Sequence, residues 1–147
     1  MKKISCALLL LMLACGFTYA KAPVNDKVLK AFAQIFPKVE HPTWYEYDNY
    51  YEVYFDNGDV KCRVKYDLDG NILSTRRDYL EAGLCPFLRA KVNEKYPGKK
   101  IFGITEVNSG DEMTYLIVLE DDKHWYHIKS DSMGMMSVDQ KLNKPTE

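Results

Sequence analysis

Tyr51-Glu52-Val53-Tyr54-Phe55-Asp56-Asn57-Gly58-Asp59-Val60-Lys61-Cys62-Arg63-Val64-Lys65-Tyr66 reads as a complete β-hairpin. β-Branched and aromatic residues alternate with charged ones on both sides of Asp56-Asn57-Gly58-Asp59, and Gly58 supplies the positive φ that a tight connection needs. Period two places Tyr51, Val53, Phe55, Val60, Cys62, Val64 and Tyr66 on one face. Tyr54, Lys61, Arg63 and Lys65 fall on the other, and Asp67-Leu68-Asp69-Gly70-Asn71 supplies the next turn.

Upstream of the hairpin, Val28-Leu29-Lys30-Ala31-Phe32-Ala33-Gln34-Ile35-Phe36-Pro37 has the apolar stripe of an amphipathic helix. Asn25 or Asp26 can cap its start, and Pro37 stops it near Phe36. The design recurs sixty residues on, where Leu88, Val92 and Tyr96 of Pro86 to Pro97 stand where Val28, Phe32 and Phe36 stood. Tyr115-Leu116-Ile117-Val118-Leu119 then answers Tyr51 to Phe55, and Asp131-Ser132-Met133-Gly134 answers Asp67 to Gly70, both at an offset of 64. The four extra residues fit a longer hairpin loop within Asn108 to Glu112.

The expected fold is therefore α+β: a tandem repeat of a helix plus a four-stranded antiparallel sheet, in residues 21–83 and 84–147. Strands are expected near 42–48, 50–56, 59–66, 70–75, 101–108, 113–120, 123–130 and 134–139. Asp78-Tyr79-Leu80-Glu81 has capping-box spacing, so a short linking helix ending at Gly83 is expected between the units. In the second unit Tyr115, Ile117, Leu119, Tyr126 and Ile128 should face inward, and Leu116, Val118, Trp125, His127 and Lys129 outward.

Residues 1–20 stand outside this fold. Lys2 and Lys3, the apolar run Ile4 to Ala14, and the small residues Thr18 and Ala20 form a secretory signal with cleavage after Ala20. Met12-Leu13-Ala14-Cys15 offers the alternative of lipidation at Cys15, which tethers the protein to a membrane face. Both routes lead to the periplasm or the exterior, and the apolar run is too short for a transmembrane segment. Without Lys2 and Lys3 the chain holds 18 basic and 21 acidic residues, a balance that does not call for nucleic acid.

Chemistry is sparse. Cys62 and Cys85 both read as buried, either as a disulfide pair or as two free core thiols. His124 and His127, three apart, point to opposite faces of a strand, and His41 is unmatched, so neither a metal nor a cofactor is expected. Asp67 to Asn71 lacks the glycine position and the distal glutamate of a calcium loop. With no nucleophile motif and no phosphate-cradling loop, an enzyme is not expected.

The chain resembles the PepSY-like, beta-lactamase-inhibitor-like proteins exported by gram-negative bacteria, over about Val28 to Lys141. The resemblance is carried by Ala31-Phe32, Phe36-Pro37, Trp44, Tyr51 to Phe55, Tyr66 to Gly70, Pro86 and Lys95-Tyr96-Pro97. It implies that the two units join into one curved antiparallel sheet with helices on one face and a concave face left open. In the inhibitor proteins that name the fold, that face grips an enzyme.

These readings converge on a non-catalytic exported protein-binding module, an inhibitor of a periplasmic or secreted enzyme, with a small-ligand or glycan sensor of the cell envelope as the alternative. Its partner-binding residues are Tyr54, Lys61, Arg63, Lys65, Trp125 and His127, because aromatic residues beside long cations mark protein interfaces.

Overall fold

A computed structural model describes residues 24–145. The expected signal peptide at 1–20, its cleavage after Ala20 and the lipidation at Cys15 lie outside the described residues. The element order is α1 (Asp26–Ile35), β1 (Thr43–Glu46), β2 (Tyr50–Asn57), β3 (Val60–Asp67), β4 (Ile72–Tyr79), a 3-10 turn (Glu81–Gly83), α2 (Pro86–Lys95), β5 (Lys100–Ser109), β6 (Glu112–Glu120), β7 (His124–Asp131) and β8 (Met136–Asn143). All eight strands form one antiparallel meander in chain order. The fold is α+β.

Asn25 caps α1 by accepting from the Lys27 amide, and the helix turns its Val28 and Phe32 stripe onto β2 and β3. Phe32 meets Trp44 and Phe55 edge-on at 5.2 and 5.3 Å, a geometry that aromatic quadrupoles favour. Pro86 opens α2, which buries Leu88 and Val92 with Ile104, Ile117, Leu119 and Ile128. Both helices end in one way: the Phe36 amide donates to the Phe32 carbonyl and the Tyr96 amide to the Val92 carbonyl, each at 2.8 Å. Every residue expected inward in the two hairpins belongs to one of these two clusters or packs against it. Both helices thus cover one face of the sheet.

The turns follow the Asx rule. Asp67 Oδ1 accepts from the Asp69 and Asn71 amides at 2.9 Å, and Asp131 Oδ1 accepts from those of Met133 and Met135 at 2.9 and 2.8 Å.

Several boundaries differ from expectation. β1 is shorter than 42–48, whereas β4 runs on to Tyr79 and β8 to Asn143. β4 continues through its charged residues because Arg76 pairs with Asp78 and Arg77 with Glu106 of β5. The linking helix does not begin at Asp78, because Asp78 and Tyr79 stay in the sheet paired with Thr105 and Ile104. Only Glu81–Gly83 forms a 3-10 turn, and it has no side-chain cap. Arg89 ties this turn to α2 by donating from Nη2 to the Glu81 and Leu84 carbonyls, both at 3.0 Å.

Both thiols are free, Cys62 buried and Cys85 exposed, which corrects the expected burial of Cys85. Leu84 takes the inward position, and Cys85, as the N-cap of α2, is turned out.

Candidate functional site

The strand register carries the side chains that alternate with the core to the face opposite the helices. One cross-strand row there is Asp56, Lys61, Asp78, Thr105, Leu116 and Lys129, and the next is Tyr54, Arg63, Arg76, Val107 and Thr114. All six expected site residues occupy this face, but they form two groups. Tyr54, Lys61, Arg63 and Lys65 lie on β2 and β3, while Trp125 and His127 lie on β7. Four strand spacings separate β3 from β7, about 19 Å.

The β2–β3 group is organised around a residue that was not expected. Glu52 is only 4 % exposed although it sits on the bare face. Tyr54 donates its hydroxyl to Glu52 Oε2 at 2.9 Å, and Arg63 Nε and Lys65 Nζ stand 3.8 and 3.9 Å from Oε1. The Arg63 guanidinium lies over the Tyr54 ring at 4.4 Å and Lys65 lies over Tyr50 at 5.1 Å. Tyr45 meets Tyr54 edge-on, and Tyr47 stacks on Tyr50. Burial, and then the bond to Glu52, push the Tyr54 hydroxyl pKa up. This layer of rings and cations keeps water from the carboxylate.

Arg76 grips Asp78 through Nε and Nη2 at 3.0 and 2.9 Å, and the Thr105 hydroxyl also donates to that carboxylate. Burial opposes the charge on Asp78, but these hydrogen bonds outweigh it and hold the carboxyl below its ordinary pKa. Asp78 also lines a groove of about 370 Å³, together with Asp59, Lys61 and the apolar Leu80, Phe102, Leu116 and Val118. Phe102 meets Trp125 edge-on at 4.6 Å, and Lys144 bonds Glu120 at 2.6 Å while covering the Trp125 ring at 4.4 Å. His127 stands opposite Val118, a groove residue.

Sequence reading passed over Glu52, Tyr45, Tyr50 and Phe102. Alternation alone places Glu52 and Tyr50 on this face. Phe102 is hidden by the register shift between Ile101 and Gly103, which breaks the period. Among the described residues no group of three or more His, Cys, Asp or Glu side chains is arranged to hold a metal. No helix among them is long and apolar enough to cross a membrane.

No protein-family model matches the chain. No curated protein matches it either. Solved structures do resemble it. A BLIP-like protein from Bacteroides fragilis superposes with a TM-score of 0.62 at 14% identity, covering 87% of this chain and 92% of that one. A DUF2874 family protein from Bacteroides ovatus gives 0.62 at 18%, covering 84% and 89%. A Bacteroides eggerthii protein described as periplasmic gives 0.60 at 16%, covering 82% and 89%. The chain therefore has a BLIP-like fold. These likenesses support the beta-lactamase-inhibitor-like half of the sequence resemblance and not the PepSY half.

Proposed function

We propose that this chain is an exported, non-catalytic module that binds a protein on the face its helices leave bare, as an inhibitor of a periplasmic or secreted enzyme. The observation that carries the reading is the layer around Glu52. Two cations and four tyrosines are held in place before any partner arrives, so little side-chain freedom remains to be lost on binding. Tyrosine and arginine are also the residues in which binding energy concentrates. The Trp125 and Phe102 pair offers a second anchor across the groove.

Export is argued from residues 1–20, and the periplasmic description of the Bacteroides eggerthii structure adds support. The matched helix ends and Asx turns favour two repeated units, at 21–83 and 84–147, fused through β4 and β5.

Affinity capture from the native envelope tests the reading, with wild type compared against Trp125→Ala combined with Arg63→Ala. Loss of the captured protein in the double variant is the expected result. Undiminished capture assigns binding to another surface. The groove sustains the alternative of a small ligand, which would raise the melting temperature of the isolated protein in a compound screen.

A further inference from the structure

We infer that the partner protein inserts an uncharged aromatic side chain into the groove beside Phe102. The inference rests on the protein-binding reading above and adds the chemistry of the contact.

The charges of the bare face are matched by one another. Asp78 accepts from Arg76 and Thr105, Glu120 accepts from Lys144, and Arg63 and Lys65 both approach Glu52. Lys61 stands between Asp56 and Asp78 in the register, and Asp59 and Asp78 line the groove with it. A charged side chain brought here would give up its water without gaining an unshared partner, whereas an uncharged one has no such loss. Charge therefore selects a neutral occupant.

The backbone of β5 selects its shape. Ile101 and Ile104 both pack with the α2 core although they are three residues apart, because the strand bulges between Ile101 and Gly103. Two consecutive residues, Phe102 and Gly103, are thus left to line the groove. β1, the strand that follows the first helix, pairs with β2 without such a break. The bulge interrupts the ladder and leaves the Phe102 side chain 56 % exposed, with Leu80 and Leu116 also exposed beside it. Such an arrangement serves contact better than packing. At Gly103 the groove is open: an added Cβ meets nothing within 4 Å, and the backbone has no positive φ that would require glycine. The Phe102 ring already meets Trp125 edge-on at 4.6 Å, so an incoming ring can extend the same edge-to-face geometry. The volume of about 370 Å³ lies at the small end of ligand pockets, about 300–1,000 Å³, and suits a single side chain better than a large free ligand.

The test is an amide NMR titration of the chain from Lys21 onward, which contains every described residue. Three synthetic peptides, identical except for a central phenylalanine, glutamate or lysine, are compared with N-acetylphenylalaninamide. The phenylalanine peptide is expected to shift the amides of Phe102 to Thr105 and of Leu116 to Val118, with an affinity that added salt leaves unchanged. Phe102→Ala should weaken it by about two- to tenfold, the worth of one aromatic pair. Gly103→Leu, which fills open space, should abolish it while the remaining amides keep their positions. Equal or tighter binding of the glutamate or lysine peptide would leave a polypeptide-binding face but overturn its preference for an uncharged ring. Binding of N-acetylphenylalaninamide as tight as that of the peptide assigns the groove to a small aromatic ligand and overturns the protein contact. Shifts of the same amides on concentrating the chain alone assign it to a second copy, with the same consequence. Silence of every probe at about 1 mM overturns the groove contact. The envelope capture then judges the protein-binding reading separately: capture lost with Trp125→Ala plus Arg63→Ala but undiminished with Phe102→Ala keeps that reading and removes only the groove from it.

Discussion

The Tyr54 hydroxyl donates to Glu52 at 2.9 Å from two residues along the same strand, on the side of the sheet that carries no helix. A buried carboxylate there has to be compensated locally, and the ring and the two flanking cations do so. Removing the acceptor charge should therefore cost stability as well as order on the face. Glu52→Gln is expected to lose about 1.5–3 kcal/mol, the scale of one hydrogen bond to a charged group, in urea unfolding with an unchanged slope. Tyr54→Phe should lose less, and the double variant should lose less than the sum of the two. Strict additivity would show that the two side chains do not interact.

The two thiols should differ sharply in reactivity. Burial pushes the Cys62 thiol pKa up and shields it, whereas Cys85 is exposed at the start of α2. In the chain from Lys21 onward, a water-soluble alkylating reagent is expected to modify Cys85 rapidly and Cys62 only after denaturant is added. Peptide mapping by mass spectrometry reads the order. Equal labelling of both thiols under native conditions would contradict the packing of Cys62 among Phe55, Val64 and Phe32.

How far the sequence could be read depended on whether a side chain's environment was local. The two hairpins and both helices announced themselves, because alternation and the aromatic-proline stops are properties of short windows. β4 and β8 were cut short for the opposite reason. Arg76, Arg77 and Asp78 look like a loop until Thr105 and Glu106 are placed beside them by a strand nearly thirty residues away. β8 is exposed along its whole length after Met136, so no inward residue marks its course. Glu52 carried no signal of burial, since its cover is made by residues of β3 and by tyrosines that close over it only after pairing. The division of the expected site into two groups was likewise invisible before the strand order was known.

Acidification should weaken the fold through the β6–β7 turn. Asp121 accepts from the Tyr126 hydroxyl at 2.7 Å, from the Lys123 and His124 amides, and from Lys99, and these bonds hold its carboxyl far below the ordinary range. A carboxylate with a lowered folded-state pKa contributes stability that is complete above its unfolded value, about 3.9, and fades as pH falls toward the folded value. Asp78 acts in the same direction. Urea midpoints measured from about pH 6 to pH 3 should therefore drop steeply below about pH 4. Asp121→Asn should start lower and fall less over that interval. Parallel curves for the two proteins would remove Asp121 from the acid response.

Gly70 and Gly58 separate a backbone requirement from a packing one. Both have positive φ, +89° and +61°, but a Cβ on Gly58 meets nothing within 4 Å, whereas one on Gly70 would lie 3.0 Å from the Lys27 carbonyl oxygen and 3.3 Å from Ala31 Cβ. Gly58→Ala is thus expected to cost only the left-handed backbone, about 1–2 kcal/mol. At +89° Gly70 lies outside the small left-handed region open to other residues, and its substitution also pushes the β3–β4 turn against the first turns of α1. The contact displaced there includes the Lys27–Asp69 pair at 2.7 Å, so Gly70→Ala should cost about 2–4 kcal/mol in the same unfolding measurement. Equal losses at the two glycines would mean that α1 does not rest on this turn, and the seat of the first helix on its sheet would need another explanation.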